Sequence, residues 1–517
     1  MGVFMDDYLV VGSGLSALSF SALMAQKGKK VKVIEAHEYA GGYGHTFPQA
    51  KEKYKYNAQL HYVWNCGEGQ PVHNVLKKLN LHEDVTFQRY NEDAFDKMRM
   101  PGYSLDIPND YELLGDRLGE MFPKDKPKIQ GFLRDVQALS QAISDYNPLN
   151  GIIGNLFKGR GVYYLAKYRK ATLQDVFDQF KLPLPAQTLL ALQWPDFMLP
   201  PNQLSFIAWT ALFDGYQKGA YYPTHHFEHV VDSFVKVIKD NGGEILFENK
   251  VIEFILEGNK VVGAISEEVN NPDNKKEHFA KNVICNLDPK MASEMIGPQK
   301  FSPKVRKKLN YDYSPSSWIS YCSVKGIDLR DYGFGRCNFF HTTEDDINKI
   351  FNRMYEKGDY KKPSFAITTP SLHTSNDKSC PEDEQMIEFV TVGHYRRFLD
   401  LKLANPKAYN TKKMEIMNYI LDEVEEHYVP DIRKHLVFKI SGSPTTSERY
   451  CHSPMGNSYG SNLTPENVGP NRLDHKTSLK NFYFCNASSG YPGFAATIGN
   501  GARLYDVLTG ESVYLNK

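Results

Sequence analysis

Apolar and polar positions change period along this chain, and the changes divide it into elements. Tyr8 to Val11 is a short apolar run that reads as a buried strand. Leu15 to about Gln26 has the length and small-residue content of a helix, Gly28 stops it, and Val31 to Ile34 forms a second strand ending at Glu35. Residues 54–64 alternate loosely and predict one or two strands. Val72 to Leu81 has helical spacing; Val85–Phe87 and Tyr103–Ile107 read as short strands, and helices follow at 110–122 and 127–146. Leu182 to Pro200 is apolar but broken by Pro183, Pro185, Pro195 and Pro200, so it can line a tunnel mouth and cannot cross a bilayer. A helix from His226 to Lys239 ends at Asn241-Gly242-Gly243. Strands are predicted at 244–247, 250–255, 261–265 and 281–285, with 268–278 as a polar hairpin tip. Further on, Ser317–Val324 and Met386–Val392 read as strands, Tyr409–Tyr428 as a long helix and 440–470 as loop. The chain closes with a strand over Asn481–Asn486 and a small-residue helix over Ile498–Thr509.

The first strand, helix and second strand enclose Gly12-Ser13-Gly14-Leu15-Ser16-Ala17, a Gly-x-Gly-x-x-Ala turn with an acid about 20 residues on. Gly12 permits the tight turn, and Gly14 lets the backbone approach a pyrophosphate seated on the first N–H groups of the helix. Ala17 lets helix and strand pack closely. Glu35, followed by Ala36, is spaced to take both ribose hydroxyls of an adenosine. An ordinary βαβ turn is the bland alternative, which the combination of strand, turn, helix and spaced acid disfavours. A second glycine-rich loop, Gly41-Gly42-Tyr43-Gly44-His45-Thr46, follows at once; its glycines allow another close approach and point to FAD rather than NAD.

Composition narrows the classes. At 517 residues the chain exceeds one core, so two domains are expected. Lys+Arg and Asp+Glu both number 61, and a net charge of zero argues against nucleic acid as a partner. Aromatics reach 13%, which fits either a large aromatic core or an apolar tunnel. Seven scattered cysteines without a C-x-x-C pair suit free thiols in a reducing compartment and argue against zinc or an iron–sulfur cluster. The first strand begins so near Met1 that no signal peptide is expected, and no apolar run reaches transmembrane length, so the expected location is cytoplasmic with peripheral membrane contact. Residues 147–171 mix apolar and aromatic positions with Lys158, Arg160, Lys167, Arg169 and Lys170 and contain no acid. They suit either an anionic lipid surface or a solvated basic helix packed on the core.

With both ends read, the chain resembles the phytoene desaturase, carotenoid isomerase and retinol saturase family of FAD-dependent oxidoreductases. The resemblance rests on VVGSGLSAL with Glu35, GGYGHTF, Leu60-His61-Tyr62, the segment 241–265, VICNLDP at 283–289 and the closing NFYFCNASSGYPGFAATIGNGARL, and it leans to the retinol-saturase side. It implies an α/β fold of the two-dinucleotide-binding type with an interleaved α+β substrate domain. The FAD domain would be discontinuous, over 1–68, 236–300 and 441–517. The substrate domain would take 69–235 and 301–440, with a membrane-facing segment at 147–200. The implied cofactor set is Gly12, Gly14, Leu15, Ser16, Glu35, Ala36, Gly41, Gly42, Gly44, His45 and Thr46, with Val251 meeting the adenine through its backbone. Asn486, Pro492, Gly493 and Ile498 would lie at the flavin end. The implied partner is a lipophilic, isoprenoid or carotenoid-like molecule. Three places depart from the family pattern: Asn486 where glycine is usual, Asn57-Ala58-Gln59 for Asp-x-Gly, and Pro223-Thr224-His225-His226 for Pro-x-Gly-Gly.

Desaturation, saturation and cis/trans isomerisation all need a flavin face against an apolar carbon–carbon unit, so the sequence does not choose among them. His61 is the candidate proton carrier, with His225 and His226 behind it; each is more often structural. No metal is expected, because adjacent His225 and His226 match no ligand spacing. No second nucleotide-binding turn occurs, which leaves oxygen, a quinone or a diffusible partner as electron donor or acceptor. Two other readings stay open: an amine-oxidase-like flavoenzyme on a smaller polar substrate, and a flavin-binding protein without turnover.

Overall fold

The computed structural model describes residues 5–145, 160–374 and 379–514. Its organising layer is a sheet whose parallel strands run, in order across the sheet, Glu244–Leu246, Val31–Ile34, Asp6–Val11, Asn271–Cys285 and Phe482–Phe484. The first strand is central, with Val10 opposite Val33 on one side and Ile284 on the other. A strand buried on both faces should be apolar throughout, and Leu9, Val10 and Val11 are.

The helix Leu15–Gln26 packs on this sheet and against the helices His226–Asp240 and Phe494–Thr509. It is buried on every side, which explains its run of Ala, Ser and Leu in place of an amphipathic stripe. Closest approach to the last helix is made possible by Gly501. A Cβ there would fall inside van der Waals contact of Ser19 Oγ, the Ser16 carbonyl and the Phe20 amide.

The strand Asn271–Cys285 is long because it serves two partners. Its end joins the parallel sheet, and its start continues an antiparallel meander with Asn249–Glu257 and Lys260–Glu268. The polar hairpin tip expected at 268–278 is therefore mostly strand. Its exposed arm carries charge pairs in place of apolar alternation, with Lys276 Nζ 2.9 Å from Glu268.

A second sheet has the order 436–442, 316–325, 384–393, 365–368, 338–341, 96–100 and 103–107. All its pairs are antiparallel except Asn338–His341 with Asp96–Met100. Asp96–Met100 escapes sequence reading because its inward positions are Asp96, Met98 and Met100, so an acid heads the buried face. Three helices, Lys126–Asp145, Arg160–Tyr168 and Phe206–Gln217, pack together. Other corrections are small. The strand expected at 85–87 lies at Phe87–Arg89, the loop region 440–470 contains a helix at Pro444–Cys451, and the last helix starts at Phe494. Residues 147–159 of the basic segment lie outside the described residues.

Candidate functional site

The first strand ends in a turn at which Gly12 adopts φ +95°, a left-handed value that glycine takes without strain. Gly14 is the N-cap of the following helix, and no side chain caps it. Its amide donates to Asn286 Oδ1 at 2.9 Å, and Asn286 Nδ2 donates to the Cys485 carbonyl. The glycine turn is thus tied to the last strand of the sheet. Glu35 closes the turn from the other side: Oε2 accepts from the Ser13 amide (2.8 Å) and hydroxyl (2.6 Å), and Oε1 accepts from the His37 amide (2.8 Å). Both oxygens of Glu35 thus brace the turn.

The second glycine loop lies directly on the first. Gly41 pairs with Gly14 as an isolated parallel bridge, and Gly41 and Gly42 take φ of +112° and +57°. A Cβ on Gly42 would meet Gly14 Cα at 3.3 Å, so both loops need glycine to approach. His45 is buried beside them, with Nδ1 2.6 Å from the Gly42 carbonyl; burial lowers its pKa to about 4, so it stands neutral.

Around these loops opens a cavity of about 3630 Å³. Its near wall carries Gly12, Gly14, Leu15, Ser16, Glu35, Ala36, Gly41, Gly42, Gly44, His45, Val251, Asn486, Pro492 and Gly493, which brings together nearly all the residues singled out in the sequence. Thr46 and Ile498 are the exceptions. Thr46 is buried behind the wall, and Ile498 turns into the core, where its carbonyl accepts from Ser19 Oγ at 3.0 Å. The helix starts at Phe494 and not Ile498, so Ile498 sits within it on the core face, and Ala496, Thr497, Gly499 and Asn500 face the cavity. Gly493 caps this helix without a side-chain hydrogen bond, leaving its first amides for a polar ligand.

The cavity continues between the three packed helices. Ile207, Ala208, Ala211, Leu212, Gly215 and Tyr216 line it at the spacing of one helical face. Ile143, Val162 and Leu165 come from the other two. Small residues at Ala208 and Ala211 leave the room, and Gly215 admits the Trp64 ring against the helix. The far rim includes Arg169 and Lys170.

At the junction between the two halves stands a polar cluster that the sequence did not reveal. Tyr62 lies flat on Tyr216, centroids 4.1 Å apart and planes 5° apart. Its hydroxyl is 2.7 Å from Asp196 Oδ2 and 3.0 Å from Asp96 Oδ2. Gln193 Nε2 also donates to Asp96, and Asn338 Nδ2 donates to its other oxygen at 3.4 Å. A phenol has one proton to donate, so one of its two carboxyl neighbours must be the acid form and donate to it. Burial raises Asp96 to about 7 against the pull of Gln193, Tyr62 and Asn338. Burial and the charge of Asp96 raise Asp196 well above the usual carboxylate range. The consistent arrangement has one carboxyl protonated and donating to Tyr62, and Tyr62 donating to the other. Asp196 reaches the cavity; Asp96 is fully buried behind it.

His61 also lines the cavity, and its Nδ1 is 3.0 Å from Glu388 Oε2. Glu388 is buried, which raises its pKa, and His61 offsets part of the rise. His225 and His226 are off the cavity wall: His225 packs edge-on against His229, and His226 is buried at the start of its helix. Arg472 is a further unpredicted member. It is buried, with Nη2 donating to the Ala487 carbonyl (2.7 Å), Nη1 to Asn467 (3.1 Å) and Nε to Gly490, so one cation holds the loop before the last helix.

Residues 10–79 match the NAD(P)-binding Rossmann-like domain. All-trans-retinol 13,14-reductase of Danio rerio is 24% identical over 99% of this chain and 86% of its own length. Prolycopene isomerase of Daucus carota is 22% identical over 94% of this chain and 77% of its own. A solved structure of putrescine oxidase bound to putrescine superimposes with a TM-score of 0.63 at 12% identity, covering 98% of this chain and 99% of that one; at that identity it speaks to fold. The expected α/β dinucleotide-binding fold is borne out, and the similarity to retinol 13,14-reductase and prolycopene isomerase runs over nearly the whole chain.

Proposed function

We propose that this chain is an FAD-dependent oxidoreductase acting on carbon–carbon double bonds of a lipophilic isoprenoid, as the names of its retinol 13,14-reductase and prolycopene isomerase relatives suggest. One observation carries the reading: the cavity that begins at two glycine loops and an acid ends in an apolar chamber between three helices. FAD is favoured over a nicotinamide because a second close backbone approach at Gly41-Gly42 and an uncapped helix start at Gly493 extend the cradle past the adenosine end.

In this reading Gly12, Gly14 and Glu35 hold the adenosine diphosphate, Val251 meets the adenine, and Pro492, Gly493 and Thr497 receive the flavin end. Bound there, the flavin supplies two-electron exchange with a carbon–carbon bond. The chain supplies the rest. Ile207, Ala211 and Leu212 seat the polyene and exclude water. Asp196, which reaches the cavity, whose acid form is favoured by burial and which is linked through Tyr62 to Asp96, gives a proton to the neighbouring carbon or takes one back. His61, oriented by Glu388, is the second group able to move a proton.

The cofactor unit is assigned to 1–68, 236–300 and 441–517, and the substrate unit to 69–235 and 301–440. Peripheral membrane contact belongs with the cavity rim, where Arg169 and Lys170 follow the helix Arg160–Tyr168 and Tyr163 is exposed. Among the described residues no helix is long and apolar enough to cross a membrane.

The stacked Tyr62 and Tyr216 beside a carboxyl group could also seat an amine, which keeps the amine-oxidase alternative in view. Anaerobic incubation of the oxidised and of the chemically reduced protein with a retinoid, a carotenoid and a diamine, followed by product analysis, separates the readings. Conversion of a polyene alone is expected; conversion of the amine alone would overturn the assignment.

A further inference from the structure

Away from the cavity, the second sheet meets the end of the long helix Pro406–His427. Glu423 and His427 lie one turn apart on that helix and share a face. His341, the last residue of the strand Asn338–His341, faces both. His341 Nε2 is 3.3 Å from Glu423 Oε2, and His427 Nε2 is 3.4 Å from the same oxygen. We propose that His341, Glu423 and His427 form a binding site for a zinc-class divalent cation.

The spacing argues for an ion between the ligands. A charge-assisted hydrogen bond from imidazole to carboxylate settles at about 2.7–2.9 Å. Ligand atoms bonded at about 2.0–2.1 Å to a tetrahedral zinc stand about 3.3–3.4 Å apart. The two separations, 3.3 and 3.4 Å, fall in the second range. His341 is 5% exposed, and its Nε2 makes no hydrogen bond of acceptable geometry among the described residues, an unusual state for a buried ring nitrogen. Its Nδ1 is 2.9 Å from the Tyr428 hydroxyl. An Nδ1–H donated to that oxygen leaves the Nε2 lone pair free for a metal, the outer-shell arrangement common to histidine ligands. His427 is 46% exposed, which provides an entry path and room for water in the fourth position. Sequence spacing does not find this site: Glu-x-x-x-His on one helix is a common ion-pair pattern, and its third ligand comes from a distant strand.

None of the three residues lines the cavity, so the bound ion would clip the helix end to the sheet and not enter the redox chemistry. The test is elemental analysis of the intact flavoprotein, stripped with chelator and then titrated with zinc chloride, together with thermal melts. One tight equivalent per chain and a melt raised by several degrees are expected, with both lost in His427→Ala and weakened in Glu423→Gln. His427 is exposed, so its replacement leaves the core intact, and circular dichroism verifies the fold. Absence of stoichiometric zinc in the wild type, or zinc binding unchanged in both variants, would overturn the proposal.

Discussion

Tyr62 Oη lies 2.7 Å from Asp196 Oδ2, at the point where the glycine-lined half of the cavity meets the apolar half. If Asp196 is the proton carrier, Asp196→Asn keeps the shape and the hydrogen bond but has no exchangeable acid. Turnover of a polyene is expected to fall by about 10²-fold or more, with flavin content unchanged. Tyr62→Phe should lower turnover less and shift its pH profile, because Asp196 loses its link to Asp96.

The buried Asp96 gives a pH signature in stability. Its pKa rises from 3.8 to about 7 on folding. Between these values the folded chain holds a proton that the unfolded chain has released, so this group's contribution to stability falls as pH rises from about 4 to 7 and is flat above. Asp96→Asn removes that slope. The melting temperature of Asp96→Asn relative to wild type should therefore increase from pH 4 to pH 7; a constant difference would contradict the assignment.

Gly501 decides how closely the last helix approaches the first. An Ala there would gain about 1 kcal/mol of helix propensity. Its methyl would meet the Ser16 carbonyl and the Phe20 amide, backbone atoms that cannot swing away, at an overpacking cost of about 1–3 kcal/mol. Gly501→Ala is thus expected to be net destabilising, and Gly501→Val more so, by chemical denaturation.

Room in the chamber comes from small side chains on one face of Phe206–Gln217. Ala211→Phe should weaken binding of a long polyene by at least about tenfold, or about 1.4 kcal/mol, while the flavin spectrum stays as in wild type. Equal loss of flavin would mean that the chamber and the cradle are not separate parts of the cavity.

What the sequence disclosed and what it hid follow from the range of the interactions. Gly12, Gly14, Glu35 and the Gly41-Gly42 loop are legible because each depends on its own few residues and on a fixed spacing to the next. Asp96 and Asp196 are not: they come from an interior strand of the second sheet and a proline-broken segment, and only the tertiary fold sets them on either side of Tyr62. Asn286 and Arg472 were hidden for the same reason, since each acts by reaching a carbonyl or amide far along the chain. Ile498 lies off the cavity wall because the helix starts at Phe494, a full turn earlier than expected, which places Ile498 within the helix on its core face and Thr497 on the cavity face. The charged arm around 268–278 read as a turn because its strands are held by cross-strand ion pairs and lack the apolar alternation that marks a buried strand.

The most direct measurement is the anaerobic visible spectrum of the purified protein, first alone and then with a retinoid or carotenoid added to the oxidised and the reduced forms. The account predicts a yellow protein with one FAD per chain whose flavin absorption changes with the polyene in one of the two forms, or that catalyses polyene isomerisation without net change. A colourless protein that cannot be reconstituted with FAD would contradict it.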